Sequence, residues 1–442
     1  MRTVVLGAGR AGLAAARFLA ARGDAVLLTD LRAEPDQDLE YALAKAGIPG
    51  VWGSHPMALL AGCDELLISP GIPLTVPFVA EAMARGIPVI GEVELAHRFL
   101  RYRRDGARVL AVTGTNGKST TTDLTAHLLK ASGLPASACG NLGTPFVEAM
   151  ASATPGTRFV VELSSYQLET VREFRAEAAA FLNLTPDHLA RHGTLEAYRR
   201  TKLRIFERQT DGDLRVLPLA QEQAREALPG DGAVARFGWS ECTSWCDSEG
   251  FLRLRGELLL HRDELRIPGR HNVENALAAA LLARHGGASL AGIRAGLRTY
   301  AGLAHRIAFC GERDGVRAYN DSKGTNVDAT LTAIEALPGP LVLLLGGTDK
   351  GVSYAPLREA LVGKLRRLLF LGEAIPQLER DLGDLPHETV PVFDQAVAAA
   401  LTLAQPGDQV LLSPACASFD QFDNFEQRGE RFEALVRTWS AP

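Results

Sequence analysis

Lysine is scarce in this chain, and most of its lysines lie in motifs whose residue types are suited to chemistry. Of the 47 basic side chains, only seven are lysines. A chain that uses arginine for nearly every solvated cation keeps lysine where a compact ammonium or a nucleophilic amine is needed. Lysines in such motifs are Lys118, Lys202, Lys323 and Lys350. The remaining three, which we interpret as helix surface, are Lys45, Lys130 and Lys364.

The first of these motifs is a glycine loop, Gly114-Thr-Asn-Gly-Lys-Ser-Thr120, between a predicted strand and a predicted helix. Position 112 is Val, so the strict phosphate-loop pattern is matched only in part. The physical requirements are still met, because backbone N–H groups can cradle phosphates and Lys118 can reach the β and γ oxygens. Ser119 or Thr120 can bind Mg²⁺. The coincidence of strand, glycines, lysine and hydroxyls disfavours a chance surface loop and predicts ATP binding.

Carboxylate and imidazole groups follow the neighbouring strands. Glu162 ends an apolar strand, where it is placed to hold Mg²⁺ beside a nucleotide, and a structural role for it is equally compatible with its position. The next strand is followed by Asp187 and His188, which add ligands for a hard cation. Tyr198 and Lys202 share one helix face. On its own, Lys202 would be interpreted as a solvated helix lysine.

A second glycine loop opens the chain, with Gly7, Gly9 and Gly12 between a strand and a helix and with Asp30 ending the next strand. This pattern is typical of dinucleotide binding, in which the helix N-terminus stabilises a pyrophosphate and the acidic residue holds a sugar hydroxyl. The loop predicts recognition of a diphosphate ester, which need not contain nicotinamide. A tight structural turn is the alternative.

Two further stretches are candidate recognition surfaces. Asn272 and Asn275 lie three residues apart on a predicted helix and could bind a base or a phosphate. Residues 413–425 follow the last predicted strand, where open α/β sheets bind ligands. The alternative for this stretch is a C-terminal loop that is capped by Asp420 or Asn424, with its three phenylalanines in the core.

The elements that must position these residues form an alternating α/β pattern in three blocks, which predicts three domains for 442 residues. We set their limits at residues 1–100, 101–301 and 302–442. Strands are predicted at 2–6, 25–30, 108–113, 158–163, 178–184, 341–345, 366–371 and 409–412, with a hairpin at 251–260. Helices are predicted near 272–284 and 290–299.

Composition limits the function classes. A net charge of −5 and a pI near 6.1 give no nucleic-acid footprint. The one basic cluster is interpreted as a solvated linker, with a phosphate-facing patch as the alternative, and comprises Arg98, Arg101, Arg103, Arg104 and Arg108. Six scattered cysteines predict no disulfide framework. Apolar runs are too short to cross a bilayer, and no signal peptide is evident. We therefore expect a cytoplasmic protein without nucleic-acid or membrane partners.

Taken together, the motifs resemble the Mur ligase superfamily, and specifically its D-glutamate-adding branch. The resemblance spans all three blocks. The segments that carry it are 69–72, 114–120, 161–169, 183–188, 202–206, 269–276, 305–306, 320–326, 343–350 and 411–429. Asn-Asp-Ser-Lys at 320–323 and Ser-Pro-Ala-Cys-Ala-Ser at 413–418 are the segments that distinguish this branch from its siblings.

The resemblance implies an α/β enzyme of three-domain Mur ligase architecture. A Rossmann-like N-terminal domain would bind the UDP of UDP-N-acetylmuramoyl-L-alanine, a central P-loop-type ATPase domain would bind ATP, and a Rossmann-like C-terminal domain would bind D-glutamate. The implied reaction joins D-glutamate to the UDP substrate through an acyl phosphate, in cytoplasmic peptidoglycan precursor synthesis. We expect a monomer.

The resemblance also implies roles for individual residues. Catalytic roles fall to Lys118, His188 and Lys202. ATP contacts are expected at Gly114, Thr115, Asn116, Gly117, Lys118, Ser119, Thr120, Asn272, Asn275, Arg306, Asp321 and Lys323. Two Mg²⁺ ions would be held by Ser119, Glu162, His188 and Lys202, the last as a carbamate formed with CO₂. Contacts to the UDP substrate are expected at Asp30, Arg32, Ser69, Gly71, Asn141 and His188. The D-glutamate pocket is expected at Thr325, Lys350, Ser418 and Phe425.

One position departs from the family, and three other functions remain open. The family's first glycine loop often has a hydroxyl residue before its last glycine, where this chain has Ala11; Arg10 could compensate electrostatically. The alternatives are an NAD-dependent dehydrogenase built on the first loop, an ATP-gated binding protein, and a sibling ligase that adds another amino acid such as L-alanine. The dehydrogenase leaves the second loop and Lys323 unexplained.

Overall fold

The computed structural model of the chain describes residues 1–103, 105–220, 228–349 and 351–440. It divides into two compact units, one of residues 1–264 and 273–299, the other of residues 265–272 and the chain from residue 300 onward. The first unit contains a five-stranded and a nine-stranded sheet, and the second unit contains a six-stranded sheet.

The N-terminal sheet is wholly parallel, in the order β3-β2-β1-β4-β5. Its strands are β1 (Arg2–Leu6), β2 (Ala25–Asp30), β3 (Gly50–Trp52), β4 (Glu65–Ile68) and β5 (Val89–Ile90). Its helices are α1 (Arg10–Ala21), α2 (Gln37–Ala46), α3 (Pro77–Ala84) and α4 (Glu92–Arg103). Asp36 caps α2 by accepting a 2.8 Å hydrogen bond from the Leu39 N–H, and Gly47 ends the helix in the left-handed conformation.

The central sheet has the order β14-β13-β12-β11-β10-β9-β6-β8-β7, parallel except for the β12–β13–β14 edge. Its parallel strands are β6 (Arg108–Thr113), β7 (Ala136–Gly140), β8 (Arg158–Glu162), β9 (Ala178–Phe181), β10 (Leu214–Pro218), β11 (Ala233–Gly238) and β12 (Ser244–Cys246). The edge hairpin is β13 (Phe251–Leu254) and β14 (Glu257–His261). The helices are α5 (Lys118–Ala131), α6 (Phe146–Ala151), α7 (Ser165–Leu168), α8 (Leu189–His192), α9 (Leu195–Leu203), α10 (Arg270–His285) and α11 (Leu290–Thr299).

The C-terminal sheet has the order β15-β16-β20-β17-β18-β19, with only β15 antiparallel to its neighbour. Its strands are β15 (Ala308–Arg313), β16 (Val316–Asn320), β17 (Leu341–Gly346), β18 (Leu365–Leu371), β19 (His387–Thr389) and β20 (Gln409–Leu412). Its helices are α12 (Val327–Ala336), α13 (Leu357–Leu361), α14 (Ile375–Leu382), α15 (Phe393–Leu403) and α16 (Phe425–Ser440).

Strand β17 shows why these apolar runs form central strands. Leu341, Leu343 and Leu345 belong to one buried cluster, while Val342 and Leu344 belong to another. Because side chains alternate across a strand, both faces of β17 are covered, and a continuous apolar run satisfies both. The predicted strand at 341–345 is therefore a fully buried one.

In each of the two sheets of the first unit, the strand order changes direction at one strand, which we call the reversal point. In the N-terminal sheet, β1 lies between β2 and β4, and in the central sheet β6 lies between β8 and β9. Open parallel sheets bind ligands beyond the carboxyl ends of strands at such points. Both glycine loops follow the strand at the reversal point, since Gly7 follows β1 and Gly114 follows β6.

Two sequence-based interpretations of surface segments are contradicted by the fold. The basic cluster does not lie in a linker, because Arg98, Arg101 and Arg103 lie in α4, where each forms an ion pair with a carboxylate, and Arg108 begins β6. Arg104 lies outside the described residues. Lys364 is not on a helix surface. It lies between α13 and β18, and its ammonium donates to the carbonyls of residues 334, 335 and 337.

Candidate active site

The loop between β6 and α5 is held by a side chain from the neighbouring strand. Asn183 Oδ1 accepts hydrogen bonds from the N–H groups of Thr115 (3.1 Å) and Asn116 (2.8 Å), and its Nδ2 donates to the Asn116 carbonyl (3.1 Å). The Thr115 hydroxyl donates to the Thr185 carbonyl and accepts from the Thr185 N–H. The loop conformation is therefore fixed by neutral groups from the end of β9.

Gly117 shows why this loop requires glycine at its end. Its φ is +80°, and a Cβ there would overlap Oδ1 of Asn275, which lies on α10. The Asn275 oxygen also accepts a 3.2 Å hydrogen bond from Thr121 on α5. Asn275 is thus packed directly beneath the start of α5, next to the loop to which we had assigned it.

Two lysine side chains converge on the carbonyl groups of this loop. Lys118 Nζ donates to the Thr115 carbonyl at 2.7 Å, and Lys202 Nζ donates to the Gly114 carbonyl at 2.7 Å. Thr194 caps α9 by accepting from the Ala197 N–H at 3.1 Å, which fixes the start of the helix that carries Lys202. The amines of Lys118 and Lys202 therefore both lie at the loop after β6, where phosphate oxygens would be attracted.

Lys202 is not the solvated helix lysine that its local sequence suggests, since only 1% of it is exposed. Its Nζ lies 4.5 Å from the centroid of the Tyr198 ring. Burial, assisted by the charge of Lys118, lowers the pKa of Lys202 to about 6. The amine is then mostly neutral near pH 7, which is the form that can attack CO₂ to give a carbamate.

Glu162, at the end of β8, is a buried carboxylate with one engaged and one unengaged oxygen. It is 2% exposed. Its Oε1 accepts a 2.8 Å hydrogen bond from Asn141 Nδ2, whereas its Oε2 has no hydrogen-bond partner among the residues that the structure describes. A buried carboxylate oxygen without a donor is costly unless a cation or another ligand completes it.

His188 has the left-handed backbone conformation, with φ of +53°, and directly precedes α8. Tyr166 Oη lies 3.1 Å from its Nδ1, and Asp187 Oδ2 lies 3.3 Å from its Nε2. Non-glycine residues at positive φ are uncommon and concentrate at functional sites. The imidazole is partly exposed, so it remains accessible to a ligand.

The four residues proposed as Mg²⁺ ligands are suited to the ion only in combination with further oxygen ligands. In the described parts of the chain, no group of three or more His, Cys, Asp and Glu side chains is arranged to hold a metal. The unengaged oxygen of Glu162 and the hydroxyl of Ser119 at the start of α5 are hard ligands of the kind that Mg²⁺ prefers. A carbamate on Lys202 and substrate phosphates would supply the remainder, so the residues fit the ion.

The first glycine loop is held by a carboxylate. Asp30 Oδ2 accepts a 2.6 Å hydrogen bond from the Ala8 N–H, and Oδ1 accepts from the N–H (2.9 Å) and Nε (3.2 Å) of Arg32. Burial raises the pKa of Asp30, but these hydrogen bonds outweigh it and hold the pKa below its usual value. Ser69 donates to the Gly7 carbonyl at 3.0 Å, and a Cβ at Gly12 would overlap that carbonyl and the Ser69 hydroxyl.

Two other features of the first loop bear on the sequence predictions. Arg10, proposed to compensate for Ala11, donates from Nη1 to the Gly143 carbonyl at 3.0 Å. Gly71 faces open space. Of the six residues predicted to contact the UDP substrate, four lie at the carboxyl ends of β2 and β4: Asp30, Arg32, Ser69 and Gly71.

In the second unit, several of the predicted residues follow the carboxyl ends of β16 and β20. Asp321 is buried and its Oδ2 accepts a 2.7 Å hydrogen bond from Ser413, while burial raises the pKa of Asp321 to about 7. Lys323 Nζ lies 5.3 Å from the centroid of the Phe425 ring. Ser418 is 2% exposed, and its carbonyl accepts from the Phe422 N–H at 2.8 Å.

Thr325, Asn272 and Arg306 are the remaining predicted residues of this unit. Thr325 precedes Asn326, which caps α12 by accepting a 2.8 Å hydrogen bond from the Ala329 N–H. Asn272 is buried near the start of α10, and its Nδ2 donates to the Pro268 carbonyl at 2.6 Å. Arg306 follows His305, a residue at φ of +61°, and its charge lowers the pKa of Asp321. Lys350 lies outside the described residues.

The alternative interpretation of residues 413–425, a capped loop with its phenylalanines in the core, is only partly compatible with the structure. Asn424 does cap α16, since its Oδ1 accepts a 2.7 Å hydrogen bond from the Gln427 N–H. Phe419, however, is 71% exposed and cannot be a core residue. The loop therefore combines a structural cap with an aromatic side chain that faces solvent.

Sequence reasoning assigned no role to two residues that organise these sites. Asn183 holds the loop that follows β6 by hydrogen bonds to the backbone of Thr115 and Asn116. Arg428 is buried, and its guanidinium donates to the Ser322 hydroxyl (3.0 Å) and to the carbonyls of Ser322 (2.8 Å), Cys416 (3.1 Å) and Ala417 (3.1 Å). Both lie inside motifs quoted above. Their types were the available signal, because an amide or a guanidinium can bind several backbone groups at once.

Comparison with known proteins gives matches along nearly the whole chain. Three family models match successive segments: the Mur ligase MurD-like N-terminal domain at residues 1–91, the Mur ligase middle domain at 112–283, and the Mur ligase glutamate ligase domain at 305–416. A UDP-N-acetylmuramoylalanine--D-glutamate ligase from Solibacter usitatus is 42% identical, covering 99% of this chain and 97% of the relative. One of that name from Anaeromyxobacter dehalogenans is also 42% identical, covering 98% and 97%.

The chain belongs to the Mur ligase family. Its curated relatives fall in the D-glutamate-adding branch, so the predicted resemblance is confirmed. Solved structures support the fold: MurC from Thermotoga maritima has a TM-score of 0.63 at 19% identity over 99% of this chain and 100% of that one. MurF from Thermotoga maritima in complex with ADP has a TM-score of 0.62 at 17% identity, covering 94% and 95%.

These matches decide some predictions and leave others open. The α/β three-domain Mur ligase fold and the assignment as a Mur ligase enzyme are confirmed. The limits near residues 100 and 301 and the roles of individual residues remain predictions. Among the described helices, none is long and apolar enough to cross a membrane.

Proposed function

We propose that this Mur ligase joins D-glutamate to UDP-N-acetylmuramoyl-L-alanine at the expense of ATP, releasing ADP and phosphate. The observation that carries the proposal is the loop at residues 114–117, where the amines of Lys118 and Lys202 both donate to loop carbonyls. The names of the curated relatives, at about 40% identity over nearly the whole chain, support the substrates.

The first step activates a carboxylate, which is a poor electrophile. The L-alanine carboxylate of the UDP substrate attacks the γ-phosphorus of ATP, an O–P bond forms, and the bond to the ADP oxygen breaks. Negative charge on the transferring oxygens is stabilised by positioned cations, which is the dominant catalytic effect in phosphoryl transfer. Lys118 is the side chain that we assign to this role, because its ammonium already lies against the loop.

Mg²⁺, when bound, would neutralise phosphate charge and orient the phosphates. We assign its binding to Ser119, Glu162, His188 and a carboxylated Lys202. Glu162 Oε2 would gain the partner that it otherwise lacks. Carboxylation would convert the neutral Lys202 amine into an anionic ligand, while the remaining carbamate N–H could still donate to the Gly114 carbonyl.

The second step forms the amide bond. The amine of D-glutamate attacks the carbonyl carbon of the acyl phosphate, loses a proton, and expels phosphate from the tetrahedral intermediate. Exclusion of water protects the acyl phosphate from hydrolysis. We assign D-glutamate to Thr325, Lys350, Ser418 and Phe425, with ATP contacts from Asn272, Asn275, Arg306, Asp321 and Lys323. The UDP substrate is assigned to Asp30, Arg32, Ser69, Gly71, Asn141 and His188.

The test is a phosphate-release assay with a panel of amino acids. We expect phosphate only when ATP, Mg²⁺, UDP-N-acetylmuramoyl-L-alanine and D-glutamate are all present. Turnover of L-alanine with UDP-N-acetylmuramate would instead identify a sibling ligase. Binding of NAD without amino-acid-dependent phosphate release would favour the dehydrogenase. We place the reaction in cytoplasmic peptidoglycan precursor synthesis, carried out by a monomer.

The D-glutamate pocket has a separate test in Lys350→Ala. Loss of the ammonium that would pair with a glutamate carboxylate should raise the KM for D-glutamate more than the KM for ATP. Steady-state kinetics with each substrate varied in turn give both values. A larger rise in the ATP KM would remove Lys350 from the D-glutamate pocket.

A further inference from the structure

Arg191, in helix α8, has none of the roles assigned above. Its side chain is 15% exposed. Its Nε donates to Glu169 Oε1 at 3.1 Å, and its Nη2 donates to Glu169 Oε2 at 2.6 Å. Two such bonds between a guanidinium and a carboxylate fix both the position and the plane of the guanidinium. Arg191 is therefore held in one orientation, three residues after His188.

The same guanidinium holds a turn at the end of the N-terminal sheet. Arg191 Nη2 also donates to the Ile72 carbonyl at 3.0 Å. Ile72 is the last residue of the turn at residues 69–72 (the 69–72 turn), which is closed by a 3.0 Å hydrogen bond from the Ile72 N–H to the Ser69 carbonyl. The start of the turn is held separately, because the Ser69 N–H donates to the Leu6 carbonyl at 2.9 Å. Arg191 thus fixes the far end of the turn that follows β4.

The 69–72 turn lies against the first glycine loop. The Ser69 hydroxyl donates to the Gly7 carbonyl at 3.0 Å, and Cδ1 of Ile72 would lie 2.9 Å from a Cβ added at Gly7. Ser69 and Gly71, both in this turn, are among the residues predicted to contact the UDP substrate. A shift of Ile72 would therefore disturb the turn and the glycine loop together.

The Arg191 side chain also contacts the surroundings of His188. Its guanidinium carbon lies 5.1 Å from the centroid of the Tyr166 ring, and Tyr166 Oη lies 3.1 Å from His188 Nδ1. The Arg191 N–H donates to the His188 carbonyl at 3.0 Å. One residue therefore connects the 69–72 turn to the segment that carries His188.

The ion pair with Glu169 indicates what Arg191 can do. A guanidinium that is paired with a carboxylate has its charge compensated, so it attracts a phosphate less than an unpaired one does. Its rigid planar fork still fixes the relative positions of the groups that it bonds. The arrangement favours a role in positioning backbone over direct contact with a phosphate.

We propose that Arg191 is a positioning residue for the UDP substrate, which sets the 69–72 turn relative to His188 through its bond to the Ile72 carbonyl. The inference rests on the proposed function, in which both segments contact that substrate. The L-alanine carboxylate can approach the loop at residues 114–117 correctly only if the two segments keep their spacing. A misplacement of about 1 Å is enough to slow a reaction substantially.

The first test is amide hydrogen exchange of the ligand-free, full-length protein. Arg191→Gln should speed exchange in the peptide that contains residues 69–72, because the far end of the turn loses its anchor. Arg298→Gln is the matched control, since it also removes an Arg–Glu ion pair of the same unit, which joins Arg298 Nε to Glu264 Oε2 at 2.6 Å. Exchange of that peptide in Arg298→Gln should match the wild type. Unchanged exchange in Arg191→Gln would overturn the proposal.

The second test is calorimetric titration with UDP-N-acetylmuramoyl-L-alanine in the absence of ATP. Arg191→Gln should raise the Kd at least about tenfold, the loss expected for one charge-assisted hydrogen bond. In steady-state kinetics its KM for the UDP substrate should rise, while its KM for ATP stays at the wild-type value. A purely structural residue would lower the active fraction, and hence kcat, without this split. Thermal denaturation verifies that each variant is folded.

Glu169→Gln separates the ion pair from the bond to Ile72. It removes the anionic partner but leaves Arg191 able to donate to the Ile72 carbonyl, so the Kd should rise less than in Arg191→Gln. Equal rises would show that only the ion pair matters, and they would overturn the proposal. Weaker substrate binding with unchanged exchange in the ligand-free protein would identify direct contact with the substrate, which also overturns it.

Failure of the proposed function is recognisable separately, because the wild-type protein would then not bind the UDP substrate at all. That result would overturn this inference as well. Failure of the inference alone leaves the wild type binding the substrate and Arg191→Gln binding it equally well.

Discussion

The two glycine turns of the first unit have the same position in their sheets and opposite electrostatics. Each connects a strand at the reversal point to a helix, and each has its N–H groups bound by a side chain from the neighbouring strand. At the first turn that side chain is the anionic Asp30, and at the second it is the neutral Asn183. The second turn is also approached by two lysines.

The comparison shows that two turns of similar position can differ in local charge, and we expect this difference to influence which phosphate ester each turn binds. A carboxylate that holds the first turn places negative charge beside it, which disfavours a triphosphate and leaves acceptor oxygens for hydroxyl groups. The amide at the second turn holds the loop without adding charge, so it does not oppose the positive charge of Lys118. The four predictions below test this contrast.

Removing the lysine of the second turn should have the largest effect. Lys118→Ala should lower kcat by roughly 10²–10³, because it removes a positioned stabiliser of the transferring phosphoryl group. Lys130→Ala, at an exposed position in the same helix, is the control and should retain wild-type turnover. Steady-state phosphate release measures both. Full activity of Lys118→Ala would remove the second turn from the ATP site.

Lys202→Ala should lower kcat by roughly 10², because it removes the buried amine that we assign to carbamate formation. Short carboxylates such as acetate should restore part of the activity in this variant by supplying oxygen ligands. The informative comparison is Lys202→Arg, which places a permanent cation at this position but cannot form the carbamate. An active arginine variant would show that the second turn needs only a positive charge there.

Giving the second turn a carboxylate like that of the first should have an intermediate effect on activity. Asn183→Asp keeps an acceptor for the Thr115 and Asn116 N–H groups but places a negative charge beside the phosphates, as Asp30 does at the first turn. We expect the KM for ATP to rise roughly tenfold or more, since a like charge at this range costs about 2 kcal/mol. Asn183→Ala serves as the reference for the lost hydrogen bonds. Equal KM values for the two variants would show that charge at this position is unimportant.

The smallest effect is expected for Asp30→Asn. At pH 7 the variant should lose about 1 kcal/mol of unfolding free energy, because the amide accepts less well from Ala8 and opposes the Arg32 N–H. The folded state lowers the pKa of Asp30, so its contribution is present above the unfolded pKa near 4 and disappears as pH falls through the folded value. Denaturant titrations of both proteins should therefore converge in acid. A constant difference at every pH would contradict this account.

Much of the fold could be predicted because its signals are local. The strands at 108–113 and 409–412 and the helix at 290–299 have the predicted limits, since apolar runs and glycine turns define them directly. The hairpin at 251–260 is also present, as β13 and β14. What failed depended on long-range packing. Arg98 pairs with Glu65 and Arg101 pairs with Glu173, and neither partner can be predicted from the residues around these arginines.

The sites followed the same rule. Residue types and motif order placed Lys118 and Glu162 at neighbouring strand ends, where the structure has them. Burial of Lys202 was not predictable from its helix, because it results from the packing of α9 against the loop at Gly114. Asn183 was not assigned a role because its side chain binds backbone groups of the loop. Such a role becomes evident only when the loop's hydrogen bonds are traced.

The scarcity of lysine has a practical consequence for chemical labelling. Amine-directed reagents would meet only seven side-chain targets in the whole sequence, one of them the half-buried Lys118. Nucleotide should shield that position, so the modified fraction of a single peptide, read by mass spectrometry, would report site occupancy in an unpurified mixture. In a protein with many lysines, signals from other labelled peptides would obscure this measurement.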